Sequence, residues 1–243
     1  MGKEDVMADL DIVTVRTPTA VCYLVRGEAP YLVDTNTPKA GKKVMGAITG
    51  SGLRPGDIRY ILITHYHYDH TGNLAQLKKA GGARVAAGER DAEVIAGRKP
   101  PAGPGDISPA GRLLRKLPAS LLERYQHFDP CEVDLALRDG DVLEELGLEV
   151  LELPGHTEGG VAYYHEEKKL AFIGDMVSNI LNRLGPPFLS FSYDKEAILG
   201  SMRRLAELDL EYAYPGHGVV IGPGAAEKIG RLADKLASRW GAA

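Results

Sequence analysis

The stretch His65-Tyr66-His67-Tyr68-Asp69-His70 places three imidazoles and one carboxylate within six residues. It directly follows the apolar run Tyr60-Ile61-Leu62-Ile63-Thr64, which is typical of a buried strand. The stretch is therefore predicted at a strand end or in the loop just beyond it, where functional residues of layered α/β proteins gather. Because side chains alternate along extended backbone, His65 and His67 are expected to point the same way. Neutral imidazoles beside a carboxylate suit zinc, iron or manganese, so a metal site is favoured over a merely hydrogen-bonded polar loop.

Further potential ligands follow other strand-like runs. His156 lies in a P-G-H-T segment (residues 154–157), after an apolar run over residues 148–153. Asp175 follows the run 170–174, and His217 lies in a P-G-H-G segment (residues 215–218). Each has a glycine next to it, which permits a tight turn. We expect these side chains to supply the remaining ligands of one metal site.

In this order, the motifs resemble the metallo-β-lactamase fold, and in particular its glyoxalase II-like branch. The resemblance rests on the H-x-H-x-D-H stretch, the P-G-H-T segment, the G-D pair at 174–175 and the late G-H pair at 216–217. It extends from Val21 to His217 and implies a four-layer αββα sandwich of the α/β class, formed by residues 1–243 as a single domain. Asp34, at an early strand end, matches the acidic residue that supports the metal-loop backbone in this family.

The resemblance implies two divalent metal ions held by imidazole and carboxylate groups: His65, His67 and His156 for the first, Asp69, His70 and His217 for the second, and Asp175 for both. Zinc is the default for hydrolysis with such ligands, and iron or manganese fit the same set. Such a set leaves each ion an open position, and two ions about 3.5–4 Å apart can convert a bridging water into a hydroxide nucleophile. Asp69 is also a candidate catalytic residue, since its carboxylate can orient that hydroxide.

The resemblance predicts a hydrolase that cleaves an ester, thioester or lactone bond of a small molecule. Glyoxalase II enzymes carry a glycine-cysteine-glycine-arginine element soon after the bridging aspartate, whereas this chain has Met176-Val177-Ser178-Asn179 there. Specificity for glutathione thioesters is therefore not expected. The alternatives are a phosphodiesterase or nuclease of the same fold, and a persulfide dioxygenase with one iron. A non-enzymatic binding protein is the least favoured alternative, because no ligand is missing.

Composition is that of an ordinary globular protein, with 243 residues of which 44% are apolar and 26% charged. The net charge of −4 gives no basic footprint, so a nucleic-acid partner is not expected. No apolar run approaches the roughly 18 residues of a membrane helix, and Met1–Asp5 precede no long apolar core, so neither membrane insertion nor secretion is predicted. Cys22 and Cys131 form no C-x-x-C pair, which indicates buried thiols in a reducing cytoplasm.

Hydrophobic periodicity and turn residues predict the main elements. Two hairpins are expected, Val21–Arg26 with Tyr31–Asp34 and Val161–His165 with Lys169–Ile173. Four helices are expected: from an N-cap at Thr37 with Pro38 in the first turn to about Ile48, Gly72–Ala80, Ser192–Leu208, and Ala225–Trp240.

Two segments fit this plan poorly, residues 97–130 and residues 176–192. The first is rich in proline and contains a predicted helix at Pro109–Leu117. We predict that it is a helical insertion which, with the second segment, overhangs the metals as lid and pocket wall. The alternative is an insertion that packs on itself or on a second subunit. Its apolar Leu121, Leu122 and Phe128 favour a partner surface, such as that of a homodimer.

Overall fold

The computed structural model describes residues 10–118, 120–122 and 127–241. The predicted absence of a secretory signal concerns residues that lie outside this range. The strands are β1 Asp11–Arg16, β2 Val21–Arg26, β3 Tyr31–Val33, β4 Tyr60–Ile63, β5 Arg84–Gly88, β6 Leu135–Leu137, β7 Val142–Leu143, β8 Leu148–Glu152, β9 Val161–His165, β10 Leu170–Gly174, β11 Ser178–Ile180, β12 Arg183–Gly185 and β13 Tyr212–Pro215. The α-helices are α1 Gly41–Gly50, α2 Tyr68–Thr71, α3 Leu74–Gly81, α4 Glu89–Ile95, α5 Pro109–Leu114, α6 Lys195–Ala206 and α7 Ala225–Trp240.

Two large sheets form the middle of the molecule. The first has the strand order β1-β2-β3-β4-β5-β6 and the second the order β13-β10-β9-β8-β7, while β11 and β12 form a separate hairpin. Strands β3 to β6 run parallel to one another, as do β10 and β13. One buried cluster lies between the sheets, and each of the other two lies between one sheet and the helices that cover it. The predicted αββα sandwich is confirmed.

Alternation along the strands produces these layers. In β2, Tyr23 packs between the sheets, whereas Leu24 packs with residues of α1 and α3. In β10, Phe172 packs between the sheets, whereas Ile173 packs with residues of α6 and α7. Because both faces of these strands are buried, they appear in the sequence as continuous apolar runs.

Several predicted elements are confirmed. Both hairpins form, with β2 paired to β3 and β9 paired to β10. The last helix has the predicted bounds, Ala225–Trp240. Cys22 and Cys131 are buried free thiols, as the sequence indicated.

Helix starts were predicted too early. Residues Pro38–Ala40 form a 3₁₀ turn and α1 begins at Gly41, since the side chain of Thr37 makes no capping bond. The Thr37 carbonyl instead accepts a hydrogen bond from the side-chain amide of Asn73 at 2.7 Å. Helix α6 begins after Asp194, whose carboxylate caps it, and not at Ser192. The hydroxyl of Ser192 instead bonds to His156, and propensity alone does not reveal such a contact with a distant loop.

The segment 97–130 contacts the segment 176–192. The amide N–H of Gly105 donates to the carbonyl of Ser190 at 2.8 Å, and Ile107 packs beside the cluster under α6 and α7. Leu113 and Leu121 are exposed on this insertion. Its function as lid or as subunit interface stays a prediction. Over the described ranges, none of the helices combines the length and apolar character needed to cross a membrane.

Candidate metal centre

The predicted ligands lie where four strands end at one edge of the sandwich. Strand β4 leads into the loop and short helix α2 of the H-x-H-x-D-H stretch, and β8, β10 and β13 each lead into a single ligand. The structure brings together all seven predicted side chains: His65, His67, Asp69, His70, His156, Asp175 and His217. His65 and His67 lie beyond the strand rather than in it, yet their nitrogens join the same group.

Three groups of ligand atoms could each hold an ion, with all atoms of a group within 4.8 Å of one another. The groups are His65 with His67 and His156, His65 with His70 and Asp175, and Asp69 with His70 and His217. Each group holds atoms from at least two separate turns or helices, so the site exists only in the folded chain.

We call His65, His67 and His156 the first histidine group, and Asp69, His70 and His217 the second. Asp175 lies between these two groups. Its Oδ2 atom is 3.0 Å from Nε2 of His217 and 3.4 Å from Nε2 of His156. Its Oδ1 atom is 3.2 Å from Nε2 of His70. Ligands about 2.0–2.2 Å from one tetrahedral ion lie roughly 3.3–3.6 Å apart, so these spacings suit shared coordination. One carboxylate thus lies within 3.4 Å of nitrogens from three ligand histidines.

Orphaned polar atoms provide a direct test of whether a metal fits. Nε2 of His65, His70 and His156, and Oδ1 of Asp175, are buried without a partner in hydrogen-bonding geometry. Buried polar atoms are nearly always satisfied in folded proteins. Four that converge on one point indicate that a cation belongs there, and the residues present fit divalent ions.

The other nitrogen of each of these histidines is already engaged. Nδ1 of His70 lies 2.8 Å from Asp34, Nδ1 of His156 lies 2.9 Å from the hydroxyl of Ser192, and Nδ1 of His65 lies 3.1 Å from the hydroxyl of Thr64. The Thr64 hydroxyl donates to Asp34, so it accepts from His65. Nδ1 of His217 bonds to the carbonyl of residue 19. These contacts fix the tautomers and leave Nε2 of each ring free to bind metal.

Glycine at the strand ends gives the ligands room. A Cβ at Gly216 would lie 2.4 Å from Oδ1 of Asp175 and 2.5 Å from Cε1 of His70. A Cβ at Gly155 would lie 2.5 Å from the amide nitrogen of Ile198, and the φ of Gly155 is +125°. The glycines seen beside the ligands in the sequence are therefore required by close packing.

Burial and mutual charge shift the ligand pKa values. Burial, followed by the neighbouring His70, lowers the pKa of His65 well below its ordinary value, so this ring is neutral and able to bind metal. Burial also acts to lower the pKa of His70, but the carboxylates of Asp175 and Asp34 outweigh it and raise that pKa. Without an ion, the carboxylates therefore favour a proton on His70, and metal binding must displace it.

Asp34 supports the backbone and one ligand of the metal-binding stretch, in agreement with the family resemblance. Its carboxylate accepts hydrogen bonds from the backbone N–H and the hydroxyl of Thr64, each at 2.9 Å, and bonds to His70. Asp34 is buried and has a φ of +60°, an uncommon backbone conformation for a residue other than glycine.

Asp91 is a buried carboxylate that sequence analysis missed. It lies on α4, is 2% exposed, and accepts from the backbone N–H of Tyr66 at 3.1 Å, the Thr157 hydroxyl at 2.8 Å and the backbone N–H of Gly159 at 2.9 Å. Tyr66 lies between two of the ligand histidines, and Thr157 follows the third. Asp91 therefore links the two loops that hold the first histidine group. Its position early in a helix after β5 was the available signal.

The segment 176–192 contacts the ligands, and its role as a pocket wall stays a prediction. The ring of Phe188 is edge-on to His217 with centroids 5.1 Å apart, and the ring of Phe191 has its centroid 6.2 Å from that of His67. By contrast, His127 is exposed beside Asp129. Among the described residues, neither His127 nor His165 joins a ligand group.

Comparison with known proteins places this arrangement in a family. The family model described as metallo-beta-lactamase superfamily matches residues 16–217. The hydroxyacylglutathione hydrolase of Ectopseudomonas mendocina (strain ymp) is 38% identical over 117 residues, which cover 47% of this chain and 31% of that protein. The "Probable metallo-hydrolase YqjP" of Bacillus subtilis (strain 168) is 26% identical over 241 residues, covering 87% of this chain and 73% of that protein. The chain thus spans well under half of the hydroxyacylglutathione hydrolase that it matches.

Solved structures agree at the level of the fold. A metallo-beta-lactamase family protein from Thermus thermophilus superposes with a TM-score of 0.71 at 28% identity, covering 95% of this chain and 78% of that one. The subclass B3 metallo-beta-lactamase BJP-1 of Bradyrhizobium japonicum has a TM-score of 0.68 at 23% identity, covering 95% and 90% of the two chains. At that identity the second likeness concerns the fold alone.

Proposed function

The chain belongs to the metallo-β-lactamase superfamily, as its motifs predicted, and we propose that it is a binuclear metal-dependent hydrolase of esters, thioesters or lactones. The observation that carries the proposal is the position of Asp175, within 3.4 Å of Nε2 atoms from both histidine groups. A carboxylate shared in this way suits a pair of ions. Zinc is the proposed metal, and iron or manganese are the alternatives.

Each ligand group would hold one ion. His65, His67 and His156 would hold one ion, Asp69, His70 and His217 the other, and Asp175 both. When bound, such ions lower the pKa of a shared water and polarise the scissile carbonyl oxygen.

We propose that Asp69 also orients the attacking water. Its side chain is 15% exposed, against 5% for Asp175, so it is the more accessible of the two carboxylates. A carboxylate oxygen that accepts a hydrogen bond from the water holds its lone pair toward the substrate carbonyl. No serine or cysteine nucleophile is needed, and the buried thiol of Cys22, whose pKa burial raises, is unsuited to that role.

The substrate is proposed to be a small acyl compound other than a glutathione thioester. The matched hydroxyacylglutathione hydrolase supports acyl chemistry at this kind of site. Residues 176–179, however, lack the glycine-cysteine element that accompanies glutathione specificity in the resembling branch.

The test combines metal analysis with a substrate panel. Protein purified without added metal is assayed for ion content and for hydrolysis of a thioester, an acyl-homoserine lactone and bis(p-nitrophenyl) phosphate. We expect two ions per chain and acyl hydrolysis that Asp175→Ala abolishes and that Asp134→Asn, a carboxylate remote from the ligands, retains. Cleavage of the phosphate diester alone would favour the nuclease alternative. One iron per chain with oxygen uptake would favour the dioxygenase.

A further inference from the structure

Three aromatic side chains are exposed within six residues beside the metal centre: Phe188 at 49%, Phe191 at 37% and Tyr193 at 39%. The rings of Phe188 and Phe191 contact ligands of different groups, since Phe188 lies on His217 and Phe191 lies near His67. The two phenylalanines therefore flank the whole centre rather than one half of it.

The turn that holds the two rings is fixed from several sides. The Ser192 hydroxyl accepts from Nδ1 of His156 at 2.9 Å and donates to the Phe188 carbonyl at 3.1 Å. Leu189, between the rings, packs inward against the cluster under α6 and α7.

The insertion supports the same turn from outside. The Gly105 N–H donates to Ser190, and a Cβ at Gly105 would lie 1.8 Å from the Ser192 carbonyl. These contacts hold the backbone of the turn in place, with the two rings on its exposed side.

From this geometry we infer that Phe188 and Phe191 bind an apolar acyl group of the substrate. The inference rests on the proposed hydrolase function and names its substrate class. The acyl chain is bonded directly to the carbonyl carbon that would react at the metal centre. The chain would therefore lie beside the two rings, which border His217 and His67. Apolar groups gain from leaving water for such a surface, whereas a charged acyl chain would lose hydration there.

The experiment measures chain-length dependence. Acetyl, butanoyl, hexanoyl and octanoyl thioesters of N-acetylcysteamine are compared as substrates of the metal-loaded protein. We expect kcat/KM to rise about fourfold per added methylene until the chain outgrows the rings, the factor that corresponds to burial of one CH₂. Phe188→Ala and Phe191→Ala should each flatten this slope, and Phe188→Leu should retain more of it. Val142→Ala, an exposed apolar residue on β7, serves as the matched control and should keep the slope.

The outcomes separate the two proposals. Hydrolysis of every thioester at one rate would overturn the acyl inference and leave the hydrolase intact. A second series, acetyl thioesters of alkanethiols of increasing length, tests the leaving side; if kcat/KM rises only in that series, the apolar group is the leaving thiol, which also overturns the inference. If no acyl substrate is cleaved, the hydrolase proposal fails. Calorimetry of octanoate and acetate binding then tests the apolar site separately. Tighter octanoate binding that Phe188→Ala removes supports an apolar site, and equal affinities overturn it.

Discussion

Replacement of Asp91 tests how the first histidine group is held in place. Asp91→Ala removes the acceptor of three buried donors, the N–H groups of Tyr66 and Gly159 and the hydroxyl of Thr157. Asp91→Asn keeps one oxygen. With that oxygen in the place of Oδ2, which accepts from Tyr66 and Thr157, the Gly159 N–H is left unpaired and faces the new side-chain NH₂, which is also a donor.

The comparison of these two variants isolates the hydrogen bonds from the charge. Both remove the carboxylate, so the energetic effect of burying a charge cancels between them. Asp91→Ala leaves three buried donor groups unpaired, whereas Asp91→Asn leaves two, the Gly159 N–H and its own side-chain NH₂. We therefore expect the alanine variant to be less stable than the asparagine variant by about 1–3 kcal/mol, the cost of one unpaired donor. Metal affinity should fall by roughly 10–100-fold in the alanine variant, the usual cost of losing a group that positions ligands.

The assay has two readouts. Urea unfolding of the metal-free proteins gives the free energies, and metal content after dialysis against graded chelator gives ion retention. Asp134→Ala is the control, because Asp134 also accepts a backbone N–H, from Val85 at 2.7 Å, but lies away from the ligand loops. It should lose stability without losing metal. Equal stability of Asp91→Ala and Asp91→Asn, or wild-type metal retention in Asp91→Ala, would refute the reasoning.

Four other outcomes are expected. Gly216→Ala should lose metal and turnover, because its Cβ would lie 2.4 Å from Asp175, whereas Gly200→Ala, with no atom within 4 Å, should keep both in metal analysis and kinetics. Asp69→Asn, assayed at saturating metal because Asp69 is also a proposed ligand, should lower kcat; full activity at full metal occupancy would exclude an orienting role. Metal titrations should show the affinity falling at least about tenfold from about pH 8 to about pH 6. The reason is that a proton competes with the ion for His70, whose pKa the neighbouring carboxylates raise although burial acts to lower it. Burial raises the pKa of Asp91 from 3.8 to about 6, so its contribution to stability is present at low pH and is lost as pH rises. The unfolding free energy of the metal-free wild type, relative to Asp91→Asn, should thus drop by about 3 kcal/mol between about pH 4 and about pH 7, and a flat profile would contradict this.

Much of the fold could be predicted because its strands are apolar on both faces. Pairs such as Val21–Arg26 with Tyr31–Val33 are separated by a short turn, so their pairing is a local matter. The helix at Ala225–Trp240 was equally clear, since Ile229, Leu232 and Leu236 recur at helical spacing and are buried. Helix starts were less predictable, because the side chain of Thr37 makes no capping bond and the hydroxyl of Ser192 bonds to His156 instead of capping.

In the candidate site too, some residues could be predicted from the sequence and others could not. The chemistry of each ligand is a local property, so imidazoles and carboxylates placed after apolar runs could be identified one by one. The supporting residues could not. Asp91 bonds to Thr157, 66 residues away, and Ser192 bonds to His156, 36 residues away. No spacing rule connects such pairs.

By itself, the sequence determined which side chains can bind metal and that each follows a strand, because strand formation and ligand chemistry depend on neighbouring residues. Only the tertiary structure decided how close Asp175 lies to Nε2 of His70, His156 and His217, and that Phe188 and Phe191 stand exposed over the ligands. It also decided that Nδ1 of four ligand histidines has a partner, those of His65, His70, His156 and His217. These facts depend on how two sheets pack face to face and how their strand ends align. Packing of that kind joins residues as far apart as Thr19 and His217, and it is set by the whole core rather than by any one stretch.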